Sequence, residues 1–223
     1  MNVVIMGPPG VGKGTQAQRI VATRKVVHIS TGDILREAVR SGSELGLKVQ
    51  AVMSAGNLVS DDLMMELVRD RLSQADVRGG WLLDGFPRTP VQSAGFITLL
   101  DGIGQKVDAV LVLDAAGDEI VRRLAGRLTC RACGGVMNLT GFGPRQPSFC
   151  PFCGADHDPQ NAQQGALYTR TDDKEETIRH RLNVFRKKTL PAAWVLEERY
   201  PLFEIDGLGT PEQVATRIAA ALG

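Results

Sequence analysis

The chain has 223 residues, 43% hydrophobic and 23% charged, which is ordinary for a soluble globular protein with a sizeable core. A formal net charge of +1 gives no bulk electrostatic reason to expect nucleic acid or a membrane surface. No run of eighteen apolar residues predicts a transmembrane helix, and the N-terminus lacks a basic leader, so a cytoplasmic location is expected.

Residues 3–6 are a short apolar run, read as a buried strand. Residues 7–15 follow at once and hold Gly7, Gly10, Gly12, Lys13, Gly14 and Thr15. Glycines let successive backbone N–H groups curl around a phosphate, and a helix N-terminus adds partial positive charge. Lys13 is placed to reach phosphates, and Thr15 offers a hydroxyl near a magnesium ion. The strict phosphate-loop pattern has Ser or Thr directly after the lysine; here Gly14 stands there. Four glycines and a lysine behind a strand argue against a tight turn with no ligand.

Residues 13–22 are predicted as the first helix and 25–29 as a second strand. Ser30 with Asp33 makes a weakened capping box for a helix carrying Ile34, Leu35, Ala38 and Val39. Residues 41–43 break it, and a further helix over 45–55 stops near Gly56. Ser60 or Asp61 caps the next helix, so residues 30–59 are expected as a helical excursion between core elements. Residues 81–84 are a strand ending in Asp84, and a helix runs from Pro90 to about 100. Residues 109–113 form a strand of sheet-interior character. The stretch 118–128 is predicted as one helix. Residues 129–169 are rich in Gly, Pro, Gln and Asp and hold no segment long enough for a core helix. A helix over 172–200 is expected to kink or split at Pro191, followed by a strand over 202–205 and a helix from Pro211. Alternating strands and helices predict an α/β fold with a parallel sheet and helices on both faces.

Asp84 stands at the C-terminal end of a strand, where open α/β sheets bind ligands, and a carboxylate there suits magnesium. The arginines are the next signal. Arg36 falls near the start of the excursion helix, Arg88 follows the Asp84 strand, Arg123 and Arg127 lie on the predicted 118–128 helix, Arg170 precedes Asp172 and Asp173, and Arg179 and Arg181 follow in the next helix; any one of them alone reads as an ordinary surface residue. Planar guanidiniums bind phosphate in bidentate fashion. Moving a phosphoryl group between nucleotides requires neutralising several phosphates while holding attacking and leaving oxygens in line. Arg88 stands out because its Gly–Phe–Pro turn adjoins Asp84, and Arg123 and Arg127 fall four apart on the predicted helix.

Cys130 and Cys133 form one knuckle and Cys150 and Cys153 a second, with sixteen residues between them. This spacing matches a structural zinc site with no open coordination position. Free thiols and disulfides are the competing readings, and disulfides conflict with a cytosolic setting. Such a metal would staple a segment too poor in apolar residues to fold alone. His157 is expected at the surface, and His28 is given no catalytic role.

Together these stretches resemble the bacterial adenylate kinases of the nucleoside-monophosphate kinase family, over essentially the whole chain. The motifs are residues 7–15, whose Gly-Lys-Gly-Thr form accounts for Gly14; Ser30, Thr31, Gly32 and Asp33 with Arg36; residues 84–89 with Gln92; and residues 170–173 through Arg181. The resemblance implies ATP + AMP ⇌ 2 ADP with magnesium, by charge stabilisation and alignment with no nucleophilic side chain. It implies a P-loop NTPase-type core of residues 1–29, 60–126 and 167–223, an AMP-binding domain over 30–59, and a zinc-bearing lid over 127–166. ATP would be held by Gly10, Val11, Gly12, Lys13, Gly14, Thr15, Arg123, Arg127 and Gly209, the last through backbone contact with adenine. AMP would be held by Thr31, Arg36, Asn57, Val59, Gly85, Arg88, Gln92, Arg170 and Arg181. Catalysis would fall to Lys13, Asp84, Arg88, Arg127, Arg170 and Arg181, with Asp172 and Asp173 positioning the arginines and fixing the lid hinge. Family members of this kind are usually monomers.

The chain departs from the family at Leu128, where a second arginine is common, at Met137 and Asn138, where a Tyr–His pair is usual, and in a long loop over 157–165. The nearest alternative is a sister kinase with UMP or CMP as acceptor or GTP as donor; Thr31 with Gln92 favours AMP. A zinc-ribbon nucleic-acid module finds only Phe142, Arg145 and Phe149 between the knuckles, which is thin. A non-catalytic nucleotide sensor sits badly with Lys13, Asp84 and Arg88 all present.

Overall fold

The structure, a computed structural model, describes residues 1–139, 147–158 and 165–223. Phe142, Arg145 and most of the 157–165 loop lie outside the described residues. The core is a five-stranded parallel sheet in the order β2-β3-β1-β4-β8, from β1 (Asn2–Met6), β2 (Val27–Ser30), β3 (Trp81–Asp84), β4 (Ala109–Asp114) and β8 (Leu202–Asp206). The continuous apolar runs follow from burial on both faces. Val4 and Met6 point to one side, with Leu83, Phe86, Phe96 and Val110. Val3 and Ile5 point to the other, with Leu82, Leu111, Leu113 and Ile20. Helices α1 (Lys13–Arg24) and α9 (Pro211–Leu222) cover that second side; α4 (Asp61–Leu72), α5 (Pro90–Gly102) and α8 (Leu190–Glu197) cover the first. The α/β architecture is therefore as the sequence predicts, with β1 central and β8 at an edge.

Two stretches interrupt this core. Between β2 and α4 the chain makes α2 (Thr31–Ser41) and α3 (Glu44–Ser54), packed on each other so closely that a Cβ on Gly46 would lie 2.0 Å from Ala38 O. Ser30 Oγ accepts from Asp33 N–H at 3.2 Å, so half of the expected capping box is present; the Asp33 carboxylate bonds Arg36 instead. The second insertion follows α6 (Gly117–Ala125). It is a three-stranded antiparallel sheet, order β6-β5-β7, from β5 (Arg127–Cys130), β6 (Val136–Asn138) and β7 (Leu167–Tyr168).

This sheet corrects the predicted helix over 118–128. The helix ends at Ala125, and Arg127 and Leu128 lie in β5. The reason is local: Asn138 Nδ2 donates to Arg123 O at 2.7 Å and Leu139 N–H donates to Gly126 O at 2.7 Å. The β6 end thus satisfies carbonyls that a continuing helix would have used. Arg123 and Arg127 therefore do not share a helix face.

The predicted helix over 172–200 is also divided. A 3₁₀ turn (Thr171–Asp173) leads into α7 (Glu175–Val184), and a π turn (Phe185–Thr189) separates α7 from α8. Pro191 has no N–H, and its ring crowds the preceding turn. The chain widens just before it, with Leu190 N–H donating to Phe185 O. The knuckle region corrects one more expectation. His157 is buried, 5% exposed, and its Nδ1 accepts from Leu167 N–H at 3.2 Å. A Cβ on Gly165 would lie 2.1 Å from that nitrogen, so the ring packs where only glycine leaves room. Among the described residues no helix is long and apolar enough to cross a membrane.

Candidate active site

The site lies at the C-terminal ends of β1, β3 and β4, where the strand order reverses about β1. After β1 the loop turns through Gly7, Gly10 and Gly12, all at positive φ. A Cβ on Gly10 would run into Leu124, whereas one on Gly12 would meet no atom of the described residues within 4 Å. The first turn of α1, with Gly14 and Thr15 exposed and no side-chain cap among the described residues, presents a helix N-terminus of the kind that binds anions. Lys13 lies back across the loop, its Nζ donating to Gly7 O and Pro8 O, each at 2.8 Å.

Burial lowers Lys13 to about 8; Asp84 opposes the fall, and Arg88, Arg181 and Arg127 add to it. A polyphosphate at this loop would raise the value again. Below pH 8 the lysine already holds its proton, so binding takes up none from this group. Above pH 8 the free form has lost it and the bound form regains it. Binding of a nucleoside triphosphate near pH 9 is therefore expected to take up about one proton. Calorimetry in buffers of different ionisation enthalpy measures this, and equal uptake at pH 7 and pH 9 would contradict it.

Asp84 ends β3 in register with Ile5 of β1 and Ser30 of β2. His28 Nε2 lies 3.9 Å from its carboxylate and is buried with no hydrogen-bond partner among the described residues. From Asp84 the chain enters a turn that needs glycine. Gly85 has φ +85°, and a Cβ there would lie 2.9 Å from Thr31 Oγ1 and 3.0 Å from Arg88 Nη2. Thr31 Oγ1 donates to Asp84 O at 3.3 Å, and Arg88 Nε donates to Gly85 O at 2.6 Å.

Gln92, 1% exposed, fixes the same turn. Its Oε1 accepts from Arg88 N–H at 2.7 Å and its Nε2 donates to Asp61 Oδ1 at 2.8 Å. Thr89 Oγ1 donates to the same Asp61 oxygen at 3.0 Å. A cleft opens beside this network. Thr31, Arg36, Asn57, Val59, Arg88, Gln92 and Arg181 line it, together with Leu35, Met53 and Met64. Asn57 Oδ1 is bonded to His180 Nε2 at 2.8 Å, which ties the end of α3 to α7.

The remaining arginines converge from the antiparallel sheet and α7. Arg127 makes a bidentate pair with Asp173, at 2.7 and 2.5 Å, and the Asp173 side chain is fully buried. Arg181 pairs with Asp172 at 2.8 Å and lies 3.6 Å from Asp173. Arg170 Nε donates to Thr129 Oγ1 at 3.0 Å. Burial, and then neighbouring guanidiniums, bring Arg88 and Arg170 down to about 10 and also lower Arg181. Burial would raise Asp172, but Arg181, Arg127, Arg170 and Arg36 outweigh it and hold its carboxyl low. The cations are thus crowded into one poorly solvated space, an arrangement suited to a polyanion. Arg36 lies at its margin, bonded to Asp33 at 2.5 Å.

Arg123 and Gly209 lie on the other flank of the loop. Arg123 Nη1 donates to Gly207 O at 3.0 Å and Val11 O at 3.3 Å. Gly209, at φ +100°, precedes the α9 capping box of Thr210 and Gln213.

The cysteines form two alike turns. Gly134 N–H donates to Cys130 O and Gly154 N–H to Cys150 O, with the glycines at φ +71° and +73°. All four Sγ atoms lie within 4.8 Å of one another, with Cys130 and Cys153 at 3.8 Å and Cys133 and Cys150 at 3.7 Å. A metal–sulfur bond of about 2.3 Å in a tetrahedron requires an S···S edge of about 3.8 Å, so the donors fit a single ion. Disulfides are absent; all four are free. Burial would raise Cys150, but the N–H groups of Phe152 and Cys153 bring it down to about 7; Cys133 and Cys153, despite N–H bonds from Gly135 and Ala155, are pushed up by burial and the neighbouring thiols.

Comparison with known proteins decides the family. Residues 5–199 match the adenylate kinase family. Adenylate kinases of Methanocella arvoryzae and Trichlorobacter lovleyi are each 43% identical over 222 residues, covering all of this chain and 98% and 99% of theirs. That of Archaeoglobus fulgidus is 40% identical over 222 residues, all of this chain and 98% of its own. The chain belongs to the adenylate kinase family. Its activity is that of an adenylate kinase, ATP + AMP ⇌ 2 ADP. These adenylate kinase relatives span archaea and bacteria, so the resemblance holds at family level and is not specifically bacterial. The metal-binding cysteine cluster belongs to this adenylate kinase chain as well.

Three residues of the site escape a reading by motif. Asp61 looks like a helix cap, yet its carboxylate holds Gln92 and Thr89. His180 and Glu119 bond Asn57 and Arg123 from helix surfaces that read as solvated. Asp61 and His180 have no sequence signal of their own, because each acts on a partner distant in the chain; Glu119 stands four residues before Arg123, a helical spacing that marks the pair.

Proposed function

We propose that the two nucleotides meet between the glycine loop and the α2–α3 cleft. ATP phosphates lie on Gly10, Val11, Gly12, Lys13, Gly14 and Thr15, flanked by Arg123, Arg127 and Gly209. AMP lies in the cleft of Thr31, Arg36, Asn57, Val59, Gly85, Arg88, Gln92, Arg170 and Arg181. Residues 30–59 and 127–166 then act as the AMP-binding domain and the lid of a core formed by 1–29, 60–126 and 167–223. The observation that carries this reading is the gathering of Lys13, Arg88, Arg127 and Arg181 beside Asp84: cations from four separate stretches of the chain share one space.

On this reading the chain's residues stabilise charge and hold geometry; none serves as nucleophile. Arg88 is fixed by Gly85 O and Gln92, so its guanidinium is presented in one plane. Arg127, Arg170 and Arg181 come from the insertion and the hinge, and Asp172 and Asp173 orient them. Closure of the two insertions excludes water from the transfer. Arg40 Nη1 donates to Arg131 O at 3.2 Å, a contact between those insertions that supports closure. Asp84 and Thr15 would hold a magnesium ion, which when bound offsets phosphate charge.

Adenine selectivity rests on Gln92. Its Oε1 is occupied by Arg88 N–H, and one Nε2 hydrogen by Asp61, so the amide is held in one orientation for a base edge. Rates with AMP, UMP, CMP and GMP test this. AMP is expected to exceed the others by at least about 10²-fold in kcat/KM, and comparable use of UMP or CMP would overturn the AMP assignment.

We read the cysteine-bound metal as structural zinc. Cys130, Cys133, Cys150 and Cys153 would hold it, and with four thiolates no position is left for catalysis. Elemental analysis of metal-replete protein is expected to find about one zinc per chain. Less than about half an atom would reject the staple.

A further inference from the structure

Arg123 is fixed at both ends of its guanidinium. One end clips two loops together: Nη1 bonds Val11 O of the glycine loop and Gly207 O of the loop after β8. Those loops are already in close contact. Gly207 N–H donates to Asp114 O at 2.7 Å, and a Cβ on Gly207 would lie 2.6 Å from Val11 Cγ2. The other end is held by Glu119, one helical turn earlier on α6, whose Oε1 accepts from Arg123 Nε at 2.7 Å.

Glu119 is itself braced. Arg122 donates to it through Nε at 2.7 Å and Nη2 at 2.8 Å. The Arg122 bonds first, and then Arg123, hold the Glu119 carboxyl at about 2 against burial. It is therefore ionised wherever the enzyme is folded at neutral pH. A guanidinium pinned along its Nε edge and at one Nη cannot rotate about its last side-chain bonds, so its plane and its exposed face are set.

We propose that Glu119 is a positioning residue for the donor nucleotide: it fixes Arg123, and through Arg123 the spacing between the glycine loop and residues 206–210. The proposal rests on the reading of Arg123 and Gly209 as donor-site residues. A side chain that acts only on the donor side should alter donor binding and leave the acceptor side and the transfer itself alone. Loss of one charge-assisted bond of this kind corresponds to about a five- to tenfold weakening.

The test compares Glu119→Gln, Arg123→Ala and Arg122→Ala, with KM for ATP and AMP and kcat measured for each. Glu119→Gln is expected to raise KM for ATP about five- to tenfold, with KM for AMP and kcat within about twofold of the parent. Arg122→Ala removes the other partner of Glu119 and leaves the Arg123 bond, so its KM for ATP should stay within about twofold. If Glu119→Gln leaves KM for ATP unchanged while Arg123→Ala raises it, Glu119 does not position the arginine. Equal changes in both KM values and kcat would assign Glu119 a general structural role and also overturn the proposal. If Arg123→Ala itself leaves KM for ATP unchanged, the donor-site reading of Arg123 fails, and the proposal fails with it.

Discussion

Replacing Lys13 with Ala is expected to lower kcat about 10³-fold, the scale seen when one preorganised donor to developing charge is removed. The fold should not suffer in parallel. Among the described residues Lys13 bonds two loop carbonyls, and it is surrounded by Arg88, Arg127 and Arg181 with Asp84 as its counter-charge. Removing its charge relieves repulsion in a poorly solvated space. The thermal midpoint of Lys13→Ala should therefore match or exceed that of the parent while turnover collapses. A coupled assay beside a melting curve reads both. A loss of activity that merely tracks a fall in Tm would assign Lys13 to structure.

The largest stability effect is expected at Asp173. Its side chain is fully buried and accepts two hydrogen bonds from Arg127, with Arg181 3.6 Å away. Asp173→Asn keeps the shape but leaves Arg127, only 13% exposed in its side chain, without its counter-charge. Breaking one side of a buried pair costs about 3–5 kcal/mol. Arg127 retains some contact with water, so the lower end, about 3 kcal/mol, is expected. For a chain of this size that lowers Tm by about 6–12 °C. The double variant Asp173→Asn with Arg127→Met should recover part of this loss, because no unpaired charge remains. If the double variant falls by the sum of the single effects, the pair is not what stabilises this junction.

Much of this could be read from the chain itself, for physical reasons. A run such as residues 109–113 has no polar face, so it can only be an interior strand, and the positive-φ glycines of the first loop mark a backbone that other residues resist. The twin knuckles place four thiolates by spacing alone. The misreadings also have causes. The helix predicted through Leu128 failed because Arg127 and Leu128 suit either helix or strand, and the decision belongs to Asn138, eleven residues further on. His157 looked like a surface residue because its partner, the Leu167 amide, has no sequence signature. Asp61 reads as a cap for the same reason, since its carboxylate holds Thr89 and Gln92 far along the chain, whereas Glu119 is legible as the helical partner of Arg123 four residues on.

One feature of the inserted sheet bears on how this protein can change. The chain enters the insertion along β5 and leaves it along β7, and these strands are neighbours, Thr129 opposite Tyr168 and Cys130 opposite Leu167. Entry and exit are therefore side by side, and the insertion keeps a small apolar cluster of its own, built on Leu128, Met137 and Leu167. Lengthening what lies between them costs little closure entropy, about 0.6 kcal/mol per doubling. The segment is thus a cassette on a two-strand stem: it can be shortened, lengthened or exchanged between homologues by recombination at residues 129 and 168 while the parallel sheet keeps its register.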